Sequence, residues 1–226
     1  MKAFSIFLLV AILCSATFAQ EIKIIESGEF HGEEVVAKDG ELWYGVYKMD
    51  TGYMLLPSIL SVSAVHDPIV DSKGEQSGKA VAVPGLGKPV FLVSGGRFNQ
   101  AGPVKTLRGV KGDLLSESSY EFDLENAKYR LFVASETKSV ERFILPNSKL
   151  ILSNGVLEQE VFSVSECNFC IWQVIWAGDL DGDSKPDFYM LLTDHYNVSR
   201  TKLFLSSAAE NGKLVKEVAE FVTTGC

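Results

Sequence analysis

Residues 40–56 read GELWYGVYKMDTGYMLL. Large apolar and smaller or polar side chains alternate on both sides of Asp50-Thr51-Gly52, a tripeptide typical of a tight turn. A period of two places successive side chains on opposite faces of a strand, so the segment predicts a β-hairpin. Aromatic side chains dominate protein cores, and we therefore expect Trp43 and Tyr47 to face inward rather than to form an exposed sugar-binding row.

Strand-like runs continue on both sides of this hairpin at intervals of eight to twelve residues, separated by Gly, Asp, Asn and Pro. The runs cover 22–25, 42–49, 53–56, 59–65, 80–83, 90–93, 120–124, 129–134, 142–145 and 150–152. No amphipathic helix of 10 to 15 residues separates successive runs, which disfavours a parallel βαβ architecture. The sequence predicts a mainly β protein, an antiparallel sandwich or meander.

The overall charge restricts the class of partner. The chain has 226 residues with 29 acidic and 21 basic side chains, a formal net charge of −8. Binding to nucleic acid or to an anionic membrane surface requires clustered Lys and Arg, and the sequence contains no such cluster. We therefore expect no nucleic-acid partner. The expected ligand is a protein or a glycan, which the charge does not identify further.

The N-terminus resembles a targeting segment. Residues 1–19 carry one basic residue, Lys2, then an apolar run from Phe4 to Leu13 and small residues up to Ala19. An apolar core of about ten residues is too short to span a bilayer, so the pattern predicts a secretory signal peptide cleaved after Ala19. The mature chain is expected to be secreted or periplasmic, with no membrane span.

The most informative stretch lies near the C-terminus. Residues 176–187 read WAGDLDGDSKPD, which places Asp179, Asp181, Asp183 and Asp187 at positions 1, 3, 5 and 9 of one loop. Alternating carboxylates converge on one point, and the carbonyl of Lys185 at position 7 offers another oxygen. Hard oxygen donors favour Ca²⁺, so these five residues form the predicted calcium site.

This loop is not an EF-hand, because position 12 is Met190 and no flanking helices are expected. It resembles instead the calcium loop of the FG-GAP and VCBS type of β-repeat, approximately Asp-x-Asp-Gly-Asp-Gly-x-x-Asp. Ser184 stands where that family usually has a second Gly. If the position requires a left-handed backbone, Ser costs on the order of 1 kcal/mol.

The resemblance covers residues 171–222 and implies a four-stranded, propeller-blade-like meander. Its strands are expected at 171–177, 187–193, 201–206 and 214–222, although the last run also fits a helical stripe. One such unit cannot close a propeller, so it must pack on the preceding β region. We therefore divide the mature chain into a β-rich region, 20–160, and a calcium-loop meander, 161–226.

Three cysteines remain after removal of Cys14 with the signal peptide. Cys167 and Cys170 have the spacing of a redox pair, but the βαβ setting of that chemistry is not expected here. The mature chain, with three cysteines, has too few for a four-thiolate zinc site. We expect a structural disulfide between Cys226 and either Cys167 or Cys170, with one free thiol.

No nucleophile or zinc-protease motif occurs in the sequence, and no catalytic residue is predicted. The favoured function is non-catalytic binding or envelope architecture. The alternative is an extracellular hydrolase that uses His66 or His195 as a catalytic group. The tetrapeptide Asp194-His195-Tyr196-Asn197 follows the strand after the acidic loop and is expected to help shape the rim of that loop.

Overall fold

The computed structural model describes residues 21–96, 98, 100–116, 118–136, 138 and 143–225. The predicted signal peptide and Cys226 lie outside these residues. The described chain is almost entirely β, and its sheets are antiparallel, which confirms the predicted fold class. Its one short helical segment is a 3-10 turn at Gly32–Glu34.

The described residues form seventeen strands. They are β1 (Lys23–Ile25), β2 (Gly28–Phe30), β3 (Leu42–Met49), β4 (Gly52–Ile59), β5 (Ser61–Val65), β6 (Gly78–Ala82), β7 (Phe91–Ser94), β8 (Gly102–Thr106), β9 (Gly112–Asp113), β10 (Ser119–Leu124), β11 (Ala127–Ala134), β12 (Ser148–Ser153), β13 (Glu158–Val164), β14 (Trp172–Asp179), β15 (Asp187–Leu192), β16 (Val198–Leu205) and β17 (Lys216–Thr224).

Ten strands form one large sheet in the order β1-β7-β3-β4-β8-β14-β15-β16-β17, with β9 paired to β14. Strand β1 also packs beside β17, so the large sheet curls into a nearly closed barrel. A four-stranded sheet, β10-β11-β12-β13, and a three-stranded sheet, β2-β6-β5, complete the fold. Near closure leaves the large sheet with little exposed edge.

The predicted hairpin of residues 40–56 is the pair β3 and β4, in register from Leu42 opposite Ile59 to Met49 opposite Gly52. Trp43 and Tyr47 are 3% and 2% exposed, which confirms that both aromatic side chains face the core. The Tyr47 hydroxyl is satisfied there by Ser58 Oγ at 2.8 Å.

The C-terminal residues form the predicted four-stranded meander, β14-β15-β16-β17. The ambiguous run 214–222 falls largely within strand β17 rather than a helix. The pairing of β17 with β16 has a register shift between Leu203 and Phe204. This irregularity interrupts the two-residue alternation of apolar and polar side chains along β17, so the sequence pattern is ambiguous.

The large sheet crosses the predicted division at residue 160. Strand β8 pairs with β4 on one side and with β14 on the other, which joins the N-terminal strands to the meander. The approach is close at Gly178, where an added Cβ would lie 2.3 Å from the Lys105 carbonyl oxygen. Residue 160 itself lies within strand β13.

Two hydrophobic cores lie on opposite faces of the meander. The first contains Trp43, Phe91 and Tyr189, and the rings of Phe91 and Tyr189 stack with centroids 4.3 Å apart. The second contains Trp172 and Phe188 with the buried residues of the four-stranded sheet. A sheet covered on both faces explains the continuous apolar run of β15.

Of the predicted runs, only 142–145 lacks a named strand. Arg142 lies outside the described residues, and Ile144 makes a single bridge with Cys170. Strands β2, β8, β9 and β13 were not predicted from the sequence. Strand β8 begins with Gly102-Pro103, residues that normally interrupt strands, and β13 is a polar edge strand of its sheet.

Candidate functional site

The acidic loop connects β14 to β15, and both of its terminal carboxylates belong to strands. Asp179 is the last residue of β14 and Asp187 is the first residue of β15. The register places Gly178 opposite Asp187, so the eight residues between them form a closed loop at the end of the paired strands. Gly182 at φ +79° and Ser184 at φ +66° supply the left-handed backbone that this tight course requires.

Three of the predicted ligands converge. One carboxylate oxygen from each of Asp179, Asp181 and Asp187 lies within 4.8 Å of the other two. Asp187 is fully buried, whereas Asp179 and Asp181 are partly exposed. The arrangement therefore has a buried base and a side open to solvent.

Asp183 and Lys185 are not part of this group of three carboxylates. Ser206 Oγ lies 2.9 Å from both carboxylate oxygens of Asp183, which share its single hydroxyl proton, and Asp183 Oδ1 also accepts from the Lys185 N–H. Lys185 is exposed. The Ser206 hydroxyl, which reaches Asp187 Oδ1 at 3.2 Å, links Asp183 to the buried end of the cluster.

Backbone amides hold the buried carboxylate in place. Asp187 Oδ2 accepts a hydrogen bond from the Leu180 N–H at 2.7 Å, and Oδ1 accepts one from the Ser206 N–H at 2.8 Å. Asp179 accepts hydrogen bonds from the N–H groups of Gly182 and Ser184 at 2.8 and 3.0 Å. These donors orient the loop before any cation binds.

Burial opposes the ionised form of these acids. It raises the pKa of Asp187 to about 8, and the nearby charge of Asp181 adds to the effect. Burial likewise raises the pKa of Asp179, although the backbone hydrogen bonds from Ser184 and Gly182 counteract it. A group of carboxylates with this electrostatic cost is stabilised by a cation at its centre.

Asp181 presents an unmet acceptor. Its Oδ2 accepts a hydrogen bond from Ser207 Oγ, while its Oδ1 is buried and has no hydrogen-bond partner in the described part of the chain. A buried carboxylate oxygen without a donor is costly, and a bound cation would satisfy it.

Sequence reasoning missed Ser206 and Ser207, which lie 19 and 26 residues beyond the acids that they contact. Isolated serines carry no metal-site signal, so only the pairing of β15 with β16 brings them to the loop. The prediction that residues 194–197 help to shape the rim of the acidic loop is wrong. These residues join β15 to β16 at the opposite end of the six-residue strand β15, about 20 Å from the loop.

The predicted cysteine pairing is also wrong. Cys167 is bonded to Cys170, with the two Cα atoms 5.6 Å apart, a separation that suits a disulfide. Phe169, between them, adopts a left-handed φ of +57°, which turns the backbone so that the side chains meet. The three-residue separation therefore closes locally and does not require the distant C-terminus.

The histidines proposed for the hydrolase have structural partners. His66 Nδ1 lies 3.1 Å from the Glu75 carbonyl oxygen and 3.9 Å from Asp71 Oδ2. His195 contacts the side chains of Asn197 and Asn168. These contacts orient both imidazoles, that of His66 within its own loop and that of His195 between its own loop and the one before β14.

A third histidine forms a tighter pair that sequence reasoning did not identify. His31 Nδ1 lies 2.5 Å from Oδ2 of the buried Asp67. This hydrogen bond raises the pKa of His31, burial opposes the rise, and the charges of Asp67 and Glu34 and a backbone hydrogen bond with Thr224 support it. Glu34 also accepts hydrogen bonds from the N–H and hydroxyl of Thr224. The group fastens the end of β17 to the three-stranded sheet.

No helix in the described part of the chain is long and apolar enough to cross a membrane. Comparisons of the chain with protein-family models, with curated proteins and with solved structures found no significant match.

Proposed function

We propose that this is a secreted or periplasmic, non-catalytic β protein whose acidic loop binds one Ca²⁺ ion. The convergence of three carboxylate oxygens, from Asp179, Asp181 and Asp187, within 4.8 Å carries the proposal. Carboxylate oxygens are hard donors, which favour Ca²⁺ over softer transition metals. The proposed partner of the whole protein is a protein or a glycan.

Asp183 and the carbonyl of Lys185 complete the proposed ligand set. Ca²⁺ takes six to eight oxygen ligands in flexible geometry, so three converging carboxylates require further donors or water. The likeness of the loop to the FG-GAP and VCBS type supports this set, and the unmet Oδ1 of Asp181 supports a cation at the centre.

The position of all proposed ligands in one loop favours a structural rather than a catalytic ion. All five proposed ligands lie in one loop of nine residues, and the Ser206 contacts fasten that loop to the end of β16. A catalytic metal instead keeps an open position beside an acid or base that acts on the substrate. The proposed ion therefore fixes the relative positions of β14, β15 and β16.

The contacts of His66 and His195 do not favour the alternative hydrolase. Each imidazole is held by groups of its own or a neighbouring loop, and neither is paired with a serine hydroxyl or a thiol in the described residues. General-base catalysis requires such reach to a nucleophile or to a water molecule.

Calcium titration tests the proposal directly. Isothermal titration should show one Ca²⁺ site per chain, and Ca²⁺ at 100 times its Kd should stabilise the fold by about 2.7 kcal/mol. Asp181→Ala should abolish both effects, whereas Asp123→Ala, which removes an exposed acid on β10, should preserve them. Melting that is identical in EDTA and in excess Ca²⁺ would show that the loop is not a calcium site.

The proposed export rests on residues 1–19 and on a disulfide, which is compatible with an oxidising extracellular compartment. Expression with the complete leader in a secreting host should yield a mature chain that begins at Gln20. N-terminal sequencing of cellular and exported protein would reveal an uncleaved leader, the result that would contradict this part of the proposal.

A further inference from the structure

A second candidate site lies away from the acidic loop. Residues 51–53 at the β3–β4 turn, Val104 and residues 106–111 around the end of β8, and residues 175–177 of β14 surround a cavity of about 420 Å³. This volume falls within the range of small-molecule sites. We call it the basic cavity because of the charge of its walls.

The charge of this cavity is opposite to that of the chain as a whole. Acidic residues outnumber basic residues by 29 to 21, yet Arg108 and Lys111 line the cavity and no Asp or Glu does. Neither cationic side chain makes an ion pair or a side-chain hydrogen bond within the described residues. Nearby Lys105, by contrast, is paired with Glu125.

The local backbone explains how both cations reach the cavity. Leu107 and Val110 are buried in the second core, and Gly109 adopts φ +78° between them. This reversal leaves Arg108 and Lys111 exposed on either side of two anchored residues. The fold therefore sets the backbone positions from which the two cationic side chains extend.

The remaining walls combine hydroxyl groups with aromatic surface. Thr51 and Thr106 carry hydroxyl groups, of which that of Thr106 donates to the Val104 carbonyl oxygen, and Tyr53 has a half-buried ring. Trp176 forms a buried part of the wall, where its Nε1 has no hydrogen-bond partner in the described chain. A wall of aromatic carbon and hydroxyl groups suits a ring that has one apolar face and a hydroxylated edge.

We propose that the basic cavity binds an acidic sugar, whose carboxylate or sulfate lies between Arg108 and Lys111 and whose ring packs against Tyr53. Guanidinium and ammonium groups form charge-assisted hydrogen bonds with oxyanions, and Arg can do so with two parallel bonds. This site goes beyond the calcium proposal, because it uses different residues and requires no metal ion among its ligands.

Titration with three probes tests the inference: glucuronate, glucose and inorganic sulfate. The wild-type protein should bind glucuronate, bind glucose at least about tenfold more weakly, and lose affinity for glucuronate as ionic strength rises. Sulfate should bind more weakly than glucuronate, because it lacks the ring. Sulfate binding as tight as glucuronate binding would overturn the sugar proposal in favour of a simple anion site.

Paired variants locate the binding. Arg108→Gln with Lys111→Gln should weaken glucuronate binding about tenfold or more. Lys88→Gln with Lys213→Gln removes the same charge from exposed positions outside the cavity and should leave affinity within about twofold. Circular dichroism and thermal melting verify that both proteins are folded. Equal weakening in the two variants, or no glucuronate binding by the wild-type protein, would refute the proposal.

Discussion

The backbone N–H of Ser206 donates a hydrogen bond to Oδ1 of Asp187 at 2.8 Å, and the hydroxyl of the same serine reaches that oxygen at 3.2 Å. Both residues are buried. This contact joins the first residue of β15 to the chain directly after β16, so the acidic loop is fastened to the sheet at its buried end.

Removal of the Ser206 hydroxyl should destabilise the protein in the absence of metal. Ser206→Ala loses the hydrogen bonds to Asp183 and Asp187 but keeps the backbone N–H, and we expect a cost of about 2 kcal/mol. Urea unfolding in EDTA measures it. Ser207→Ala, which removes an exposed hydroxyl from Asp181, should cost about 0.5 kcal/mol or less. Equal costs would show that burial of the contact is unimportant.

Substitution of Ser184 should have the opposite effect. The family resemblance left open whether this position requires a left-handed backbone. Ser184 has a φ of +66°, which lies in that region, and a residue with a Cβ is strained there. Ser184→Gly should therefore stabilise the protein by up to about 1 kcal/mol, partly offset by the greater freedom of Gly in the unfolded chain. Thermal melting of Ser184→Ala, which retains the Cβ, is the control, and an equal gain with Ala would contradict the strain argument.

The local disulfide should contribute modestly to stability. A bridge that closes a loop of four residues contributes about 2 kcal/mol in the chain-entropy model, so Cys167→Ser with Cys170→Ser should lose about that amount. Peptide mapping without reduction should recover Cys167 bonded to Cys170, and the bond should persist in Cys226→Ser. Recovery of a bridge that contains Cys226 would contradict the assignment.

The His31–Asp67 pair should make stability depend on pH. The pKa of His31 is raised in the folded state, so its contribution is complete below the unfolded value near 6.5 and is lost as pH rises through the folded value. The pKa of Asp67 is lowered, chiefly by the hydrogen bond from His31, so that contribution is lost instead as pH falls through the acidic range.

Unfolding free energy should therefore fall as pH rises from 6.5 towards 8. His31→Gln should make this dependence shallower without abolishing it, because the raised pKa of Asp187, about 8, also lowers the unfolding free energy as pH rises over this range. His66→Gln, in the same region of the molecule, should retain the full dependence. Urea denaturation across this range provides the measurement. An unchanged slope in His31→Gln would show that the pair does not couple folding to proton binding.

Short-range patterns determined the fold class and the location of the acidic loop. Alternation along residues 40–56 reflects the period of a strand, and turn residues act through their own φ and ψ, so both signals are contained in neighbouring residues. The same is true of the Asp spacing, because residues 179–187 converge through the course of one loop. The strand identity of β17 needed the family resemblance as well, since its apolar residues also fit a helix.

Only the tertiary structure decided which distant residues meet. The insertion of β8 between β4 and β14 and the contact of His31 with Asp67 depend on burial shared by many strands. The contact between Ser206 and Asp187 is of the same kind, because nothing in the sequence around a serine indicates which distant acid it will contact. The disulfide is a local contact that the sequence also left undecided. Three cysteines permit several pairings, and a backbone turn at Phe169 brings Cys167 to Cys170. Sequence thus encodes local conformation directly, whereas long-range pairing is selected by the collective packing of the two cores.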